Sequence, residues 1–168
     1  MDGYLSQLLR LCDQSDVLAL ATRTPDGLPS VAPLYFAHTQ DLRFFFLSSL
    51  KSEHSGNLRL DSRASASIVP IADGDLAWKA VEMTGKGSLA DGRMAEEGWE
   101  VYLRRFGFLS SLAFAVLKTE MHVFLPEWVW LIDKGLGKEA SVGFPLPPFE
   151  FRSRPKVLGR FKATPTIR

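Results

Sequence analysis

The chain has 168 residues, a length that suits one domain, and 46% of them are hydrophobic, enough for a packed core and too many for a disordered or fibrous polymer. Its net charge is +1, so no strong field for nucleic acid arises. A single cysteine, Cys12, excludes an internal disulfide framework and a cysteine-rich metal site. No apolar run reaches the roughly 18 residues of a membrane span. Residues 1–15 carry Asp2 and Asp13 and lack a secretory layout, which makes the cytoplasm the expected location.

Residues 3–12 place Tyr4, Leu5, Leu8, Leu9, Leu11 and Cys12 at helical spacing, so the chain opens with an amphipathic helix in which Cys12 is a buried packing thiol. Val17 to Thr22 reads as a buried strand. Thr24-Pro25-Asp26-Gly27 is a turn, since Pro25 presets φ and Gly27 tolerates positive φ. Pro29 to Ala37 returns as the second strand of a hairpin, and Pro33 inside it predicts a bulge or an unpaired edge. A turn at His38–Asp41, with His38 exposed, leads to a third strand from Leu42 to Leu47.

That strand, Phe44-Phe45-Phe46-Leu47, breaks into Ser48-Ser49 and a helix expected from Ser52 to Asp61. A buried strand ending in hydroxyls at a helix start is suited to a phosphate, because free N–H groups and the positive end of the helix dipole point the same way there. Most such junctions are only helix caps. Ala64–Val69 reads as a fourth strand, Ile71–Asp75 as a loop, and Trp78–Leu89 as a fifth strand with a bulge or tight bend at Gly85 and Gly87. Asp91-Gly92 starts a helix to about Arg105, with Arg104-Arg105 at its C-terminus where positive charge is favourable. Phe108–Val116 fits a short helix or a strand. Glu120–Leu125 alternates as a strand with a hydrogen-bonded His122, Pro126 interrupts it, and Trp128–Ile132 is the last strand. Trp128 and Trp130 share one face, as core or dimer packing. Asp133–Lys138 is a glycine-rich loop.

From 145 the chain is rich in proline and basic residues, and regular structure is not expected. The division is a domain at 1–144 and an extension at 145–168 that could lie across a partner subunit. The three histidines have no paired spacing, so no metal site is expected. No Ser-His-Asp or paired-carboxylate arrangement is legible, so hydrolysis is not proposed. Six or seven strands in hairpin order with few helices predict a mainly β fold, an antiparallel barrel with peripheral helices.

The ordered set Leu18–Thr22, Asp26–Pro29, Pro33–Phe36, Phe44–Leu58 and Asp61–Ser65 resembles the FMN-binding split β-barrels of the pyridoxamine 5′-phosphate oxidase type. Ser48-Ser49-Leu50 with His54–Leu58 is similar to the haem-utilisation branch, and Tyr102–Phe106 and Trp130–Lys138 to small uncharacterised relatives. The resemblance implies a homodimer with FMN between subunits. It places the cofactor on Pro33, Leu34, Tyr35 and Phe36 along the ring and ribityl chain, and on Leu47, Ser48, Ser49, Lys51, His54 and Asn57 around the phosphate, with Trp130 as a further contact. Oxidases of this type carry a basic pair where this chain has Glu53-His54, and charged residues where it has Val31 and Phe36; Lys51 is the candidate replacement cation. The implied function is an FMN-dependent oxidoreductase acting on an unassigned small molecule. The alternatives are a haem or tetrapyrrole carrier on the same barrel, with His54 as ligand, or a non-catalytic relative without cofactor.

Overall fold

A computed structural model describes residues 2–70, 79–107, 118–133, 140–147 and 166–167. Its order is α1 (Asp2–Asp13), β1 (Val17–Arg23), β2 (Pro29–His38), β3 (Phe44–Ser49), α2 (Glu53–Leu60), β4 (Arg63–Ile68), β5 (Lys79–Leu89), α3 (Gly92–Phe106), β6 (Thr119–Asp133), β7 (Ala140–Pro145) and β8 (Thr166–Ile167). All strand pairings are antiparallel, in the order β3-β2-β1-β4-β5-β6, and β3 pairs back onto β6 to close a six-stranded barrel. The expected split barrel is the fold observed. The expected loop at Ile71–Asp75, Trp78, the Phe108–Val116 segment and Lys134–Lys138 lie outside the described residues.

Alternation builds the barrel. Leu18 and Leu20 of β1, Ala64, Ala66 and Ile68 of β4, and Phe44 and Phe46 of β3 point inward and join Phe124, Val129 and Leu131 of β6 in one buried cluster. α1 closes on this cluster with Leu8, Leu11 and Cys12. A second apolar layer lies outside the sheet, where Tyr102, Trp99 and Phe106 of α3 pack on Ala37, Phe45, Met121 and Val123. α3 sits so close that a Cβ on Gly98 would come within 2.6 Å of the Phe45 ring. Arg43 ties the two layers together. It is buried, pairs with both carboxylate oxygens of Glu97 on α3, and bonds Asp41 at 3.1 Å.

Two strand expectations are corrected. Pro126 does not divide the last strand: β6 is one strand of 15 residues. Its register with β5 steps from Thr84↔Trp128 to Gly85↔Pro126, so Glu127 is an extra residue at a bulge. The bulge inverts the alternation, with Phe124 inward before it and Val129 and Leu131 inward after it. The first half of β6 closes the barrel on β3, and the second half carries β7. Regular structure also continues past 144: Pro145 ends β7, and Thr166–Ile167 pairs with Val142 and Gly143. Pro33, by contrast, sits as expected, since β2 pairs with β3 only from Phe36 onward and residues 29–35 pair on the β1 side alone.

Candidate functional site

The site forms where β3 runs into α2. Phe46 packs into the barrel, and Ser48 follows on the same face at 7% exposure. Ser52 is the α2 N-cap: its hydroxyl accepts from the Ser55 N–H at 3.3 Å. α2 turns Ser55, Asn57 and Leu58 toward the barrel. Asn57 donates to Thr22 of β1 at 3.0 Å, and Leu58 joins the core. These inward residues, rather than a broad apolar stripe, seat the helix.

Around the N-cap the polar side chains form one connected set. Ser48 Oγ lies 2.6 Å from His54 Nε2 and 3.0 Å from Ser52 Oγ. Ser52 Oγ lies 3.2 Å from His54 Nε2 and donates to Ser55 Oγ at 2.8 Å. Ser55 Oγ contacts His122 Nε2 of β6 at 3.0 Å, and His122 Nδ1 donates to the Glu120 carbonyl at 3.0 Å. His122 is buried and stacks on Phe46 with ring centroids 5.2 Å apart. Burial is the main cause lowering both imidazoles below the usual histidine value; His122 lowers His54 further while Glu53 opposes. Both rings are therefore neutral near pH 7.

The expected site residues divide accordingly. Ser48 and His54 come together. Ser49 follows Ser48 on the opposite face of β3 and does not join them, its hydroxyl accepting the Lys51 N–H at 3.2 Å. Lys51 is exposed, as is Glu53, so the acid does not project into the hydroxyl cluster. Asn57 is committed to Thr22. Leu47 packs with the α3 layer. On β2, Pro33 and Tyr35 face outward, Tyr35 at 61% exposure, whereas Leu34 packs against the core and Phe36 is fully buried with its N–H bonded to the Asp16 carbonyl at 3.1 Å, so Phe36 is closed to a ligand. Trp130 is 8% exposed and lies over Gly143 of β7, where a Cβ would meet its ring at 2.4 Å. Ser52, Ser55 and His122 were not anticipated as part of the site.

Two other polar residues also find partners. His38, expected to be exposed, has a side chain only 4% exposed and bonds Asp13 Oδ1 at 3.0 Å. Arg105, expected to cap its own helix, instead reaches the carbonyls closing α1, bonding Ser15 O at 2.6 Å and Cys12 O at 3.2 Å, with its guanidinium over Phe36. Cys12 is buried as expected, and burial together with Asp13 pushes its thiol up to about 12, out of the nucleophilic range. Among the described residues no three His, Cys, Asp or Glu side chains converge as a metal site, and no helix is long and apolar enough to cross a membrane.

A closed six-stranded antiparallel barrel with a helix entered directly from β3 defines the split-barrel class. The family described as pyridoxamine 5′-phosphate oxidase matches residues 5–125, and the chain belongs to that family. No functionally curated protein matches it. Among solved structures it is similar to a haem-binding protein from Mycobacterium smegmatis, with 22% identity and a TM-score of 0.67 over 78% of this chain and 54% of that one, so it spans about half of that protein. It is also similar to the haem storage protein of Vibrio cholerae, with 20% identity and a TM-score of 0.61 over 73% of this chain and 89% of that one. A hypothetical protein from Mycobacterium tuberculosis matches at 19% identity and a TM-score of 0.65 over 79% and 87%. At these identities the likeness is one of fold.

Proposed function

We propose that the protein binds FMN between two copies of itself and acts as a flavin-dependent oxidoreductase on a small molecule. The observation that carries this is the convergence of Ser48, Ser52 and His54 at the start of α2. The donor chemistry fits a phosphate monoester: hydroxyls, an imidazole, and the first-turn N–H groups at the positive end of a helix. Ser48, Ser52 and His54 would hold the phosphate, and the outward side of β2 at Pro33 and Tyr35 would face the ring. FMN supplies the redox chemistry when bound, and the chain supplies position and electrostatics.

The dimer is supported by the outer face of the barrel. Val31 is 64% exposed and Tyr35 61%, on the stretch of β2 that has no β3 partner. Beside them lie the small residues Ala19 and Ala21 of β1 and Ser65 and Ser67 of β4, in register as Ala19↔Ser67 and Ala21↔Ser65. An apolar rim beside a low, small-residue floor suits close packing against a second copy.

Titration of FMN fluorescence against riboflavin tests the cofactor. FMN is expected to bind at least tenfold tighter, because riboflavin lacks the phosphate. A purified protein that is colourless and leaves FMN fluorescence unchanged would overturn the reading. The likeness to two haem proteins favours a second reading, a haem carrier with His54 as ligand. It requires His54 Nε2 to leave Ser48, or Nδ1 to serve. Haem titration of the wild type and His54→Ala tests it, and identical spectra and affinities count against a His54 ligand.

A further inference from the structure

The hydroxyl cluster has a direction. His122 Nδ1 faces a carbonyl, which can only accept, so Nδ1 carries the hydrogen. In the neutral ring Nε2 is then a bare acceptor, and Ser55 must donate to it. The Ser55 hydrogen being spent, the contact between Ser52 and Ser55 uses the Ser52 hydrogen. The contact between Ser48 and Ser52 therefore uses the Ser48 hydrogen, and the 2.6 Å contact between Ser48 and His54 uses a hydrogen on His54 Nε2. Four contacts take four hydrogens, and only this assignment fills all of them. With His54 in the other tautomer, the single Ser48 hydrogen would have to serve both His54 Nε2 at 2.6 Å and Ser52 at 3.0 Å, and one of the two contacts would have none.

His54 is half-buried and His122 2% exposed, so the His54 end is the mouth of the site, and in that state every hydroxyl hydrogen points away from it, toward His122. Ser48 offers lone pairs there, which repel an anion. One added proton reverses the set. It enters at His54 Nδ1; the Nε2 hydrogen passes to Ser48, the Ser48 hydrogen to Ser52, the Ser52 hydrogen to Ser55 and the Ser55 hydrogen to His122 Nε2. No atom is gained or lost beyond the one proton. Afterwards each hydroxyl donates toward His54, and the Ser48 hydrogen, which faces the bare His54 Nε2 at 2.6 Å, is the one that an anion draws to itself.

We propose that His54, Ser48, Ser52, Ser55 and His122 act as one proton-loaded anion clamp, whose hydroxyls turn outward to receive a phosphate group when the histidine pair takes up a single proton. The clamp rests on the reading of this site as a phosphate site and says how it works without the fixed basic pair of the oxidases. The other charges around it are Lys51 and Glu53, both exposed, Arg59 of α2, which is exposed and bonded to the Leu50 carbonyl, and Glu120 of β6. Burial keeps the empty pair neutral near pH 7, and an anion at the mouth favours the charged form.

Calorimetry at pH 7.5 in two buffers of different ionisation enthalpy counts the protons. FMN is expected to bind with uptake of close to one proton and riboflavin with none. Affinity for FMN is expected to fall by up to about tenfold per pH unit above neutrality. His54→Gln, which keeps a donor but does not titrate, should abolish the uptake. Binding of FMN with no uptake, or a flat pH profile lost on Lys51→Ala, overturns the clamp and leaves the flavin reading standing. Failure of FMN to bind removes the flavin reading, and histidine NMR with inorganic phosphate as probe then judges the clamp. The free protein should show hydrogen on His54 Nε2 and His122 Nδ1, and phosphate should shift both rings with one common midpoint. Ser55→Ala should leave the His122 signal unmoved while His54 still responds. A different pair of tautomers, or a His122 signal indifferent to phosphate in the wild type, overturns the clamp.

Discussion

At the scale of single residues, the same imidazoles that make the site also make stability depend on pH. His54 and His122 have folded values lowered below the usual 6.5, chiefly by burial. The unfolded chain then binds more protons than the native one at pH values between the lowered folded values and 6.5, so stability rises with pH across that window. The full contribution is present above about pH 6.5 and is lost as the pH falls below it. Urea unfolding between pH 7.5 and 5 should show this decline in the wild type, and a shallower one in His122→Gln; equal slopes in the two would remove His122 from the account. Ser48 and His54 could be found from the sequence because they stand at a strand end and a helix start, a local pattern. His122 could not, since it meets Ser55 across 67 positions and only barrel closure brings them together. Arg105 was misread for a related reason. Its own helix end was in view in the sequence, whereas the carbonyls it binds lie at the end of α1 and just beyond it, at Cys12 and, 90 positions away, at Ser15.

At the scale of elements, the strands and helices were legible wherever alternation or helical spacing ran uninterrupted, as in β1, β4, α1 and α3. They were misjudged where a bulge intervened. Pro126 reads as a breaker because proline removes a ladder donor, yet β6 passes through it by giving up one residue of register at Glu127. The partner strand makes this possible through Gly85. A Cβ there would lie 2.2 Å from the Leu125 carbonyl oxygen and 2.7 Å from Pro126 Cα, both backbone atoms that cannot swing aside. Gly85→Ala should therefore destabilise the protein by about 2–3 kcal/mol. Gly56, inside α2, is the contrasting case, because its nearest neighbour to a new Cβ is the flexible end of Arg59 at 3.8 Å. Gly56→Ala should stabilise by about 0.5–1 kcal/mol through helix propensity. Chemical denaturation of both variants checks the pair; a neutral Gly85→Ala would mean that the bulge relaxes. β7 escaped the sequence reading because its six residues end in proline and begin after a glycine-rich run, so neither alternation nor flanking turns marked it.

At the scale of the whole molecule, the barrel has two unlike outsides. One is covered by α3, whose Trp99, Tyr102 and Phe106 pack on Phe45 and Met121. Beyond a ring contact between Tyr35 and Phe106, α3 does not cover the other, across the first half of β2 and across β1 and β4, and its middle is apolar or small, with Val31, Ala19, Ala21, Ser65 and Ser67 between Tyr35 at one end and Arg23 and Arg63 at the other. Polar outward residues would cost the isolated barrel nothing there, so their scarcity on β1 and β2 points to a covering partner. Val31→Arg separates a partner surface from a merely tolerant one. Val31 is 64% exposed in the single chain, so an arginine there should leave the melting temperature of a monomer almost unchanged. In the proposed dimer the same guanidinium would be driven into an apolar contact without a counter-charge, weakening association by about a hundredfold or more. Leu60→Arg, on α2 at 72% exposure and off that face, is the matched control. Sedimentation velocity across a concentration series should show the wild type and Leu60→Arg as dimers and Val31→Arg shifted to monomer. If FMN lies between subunits, Val31→Arg should also lose FMN affinity while the hydroxyl cluster of Ser48, Ser52 and Ser55 stays intact by histidine NMR. A Val31→Arg protein that remains dimeric and binds FMN as well as wild type would move both the partner and the flavin off this face.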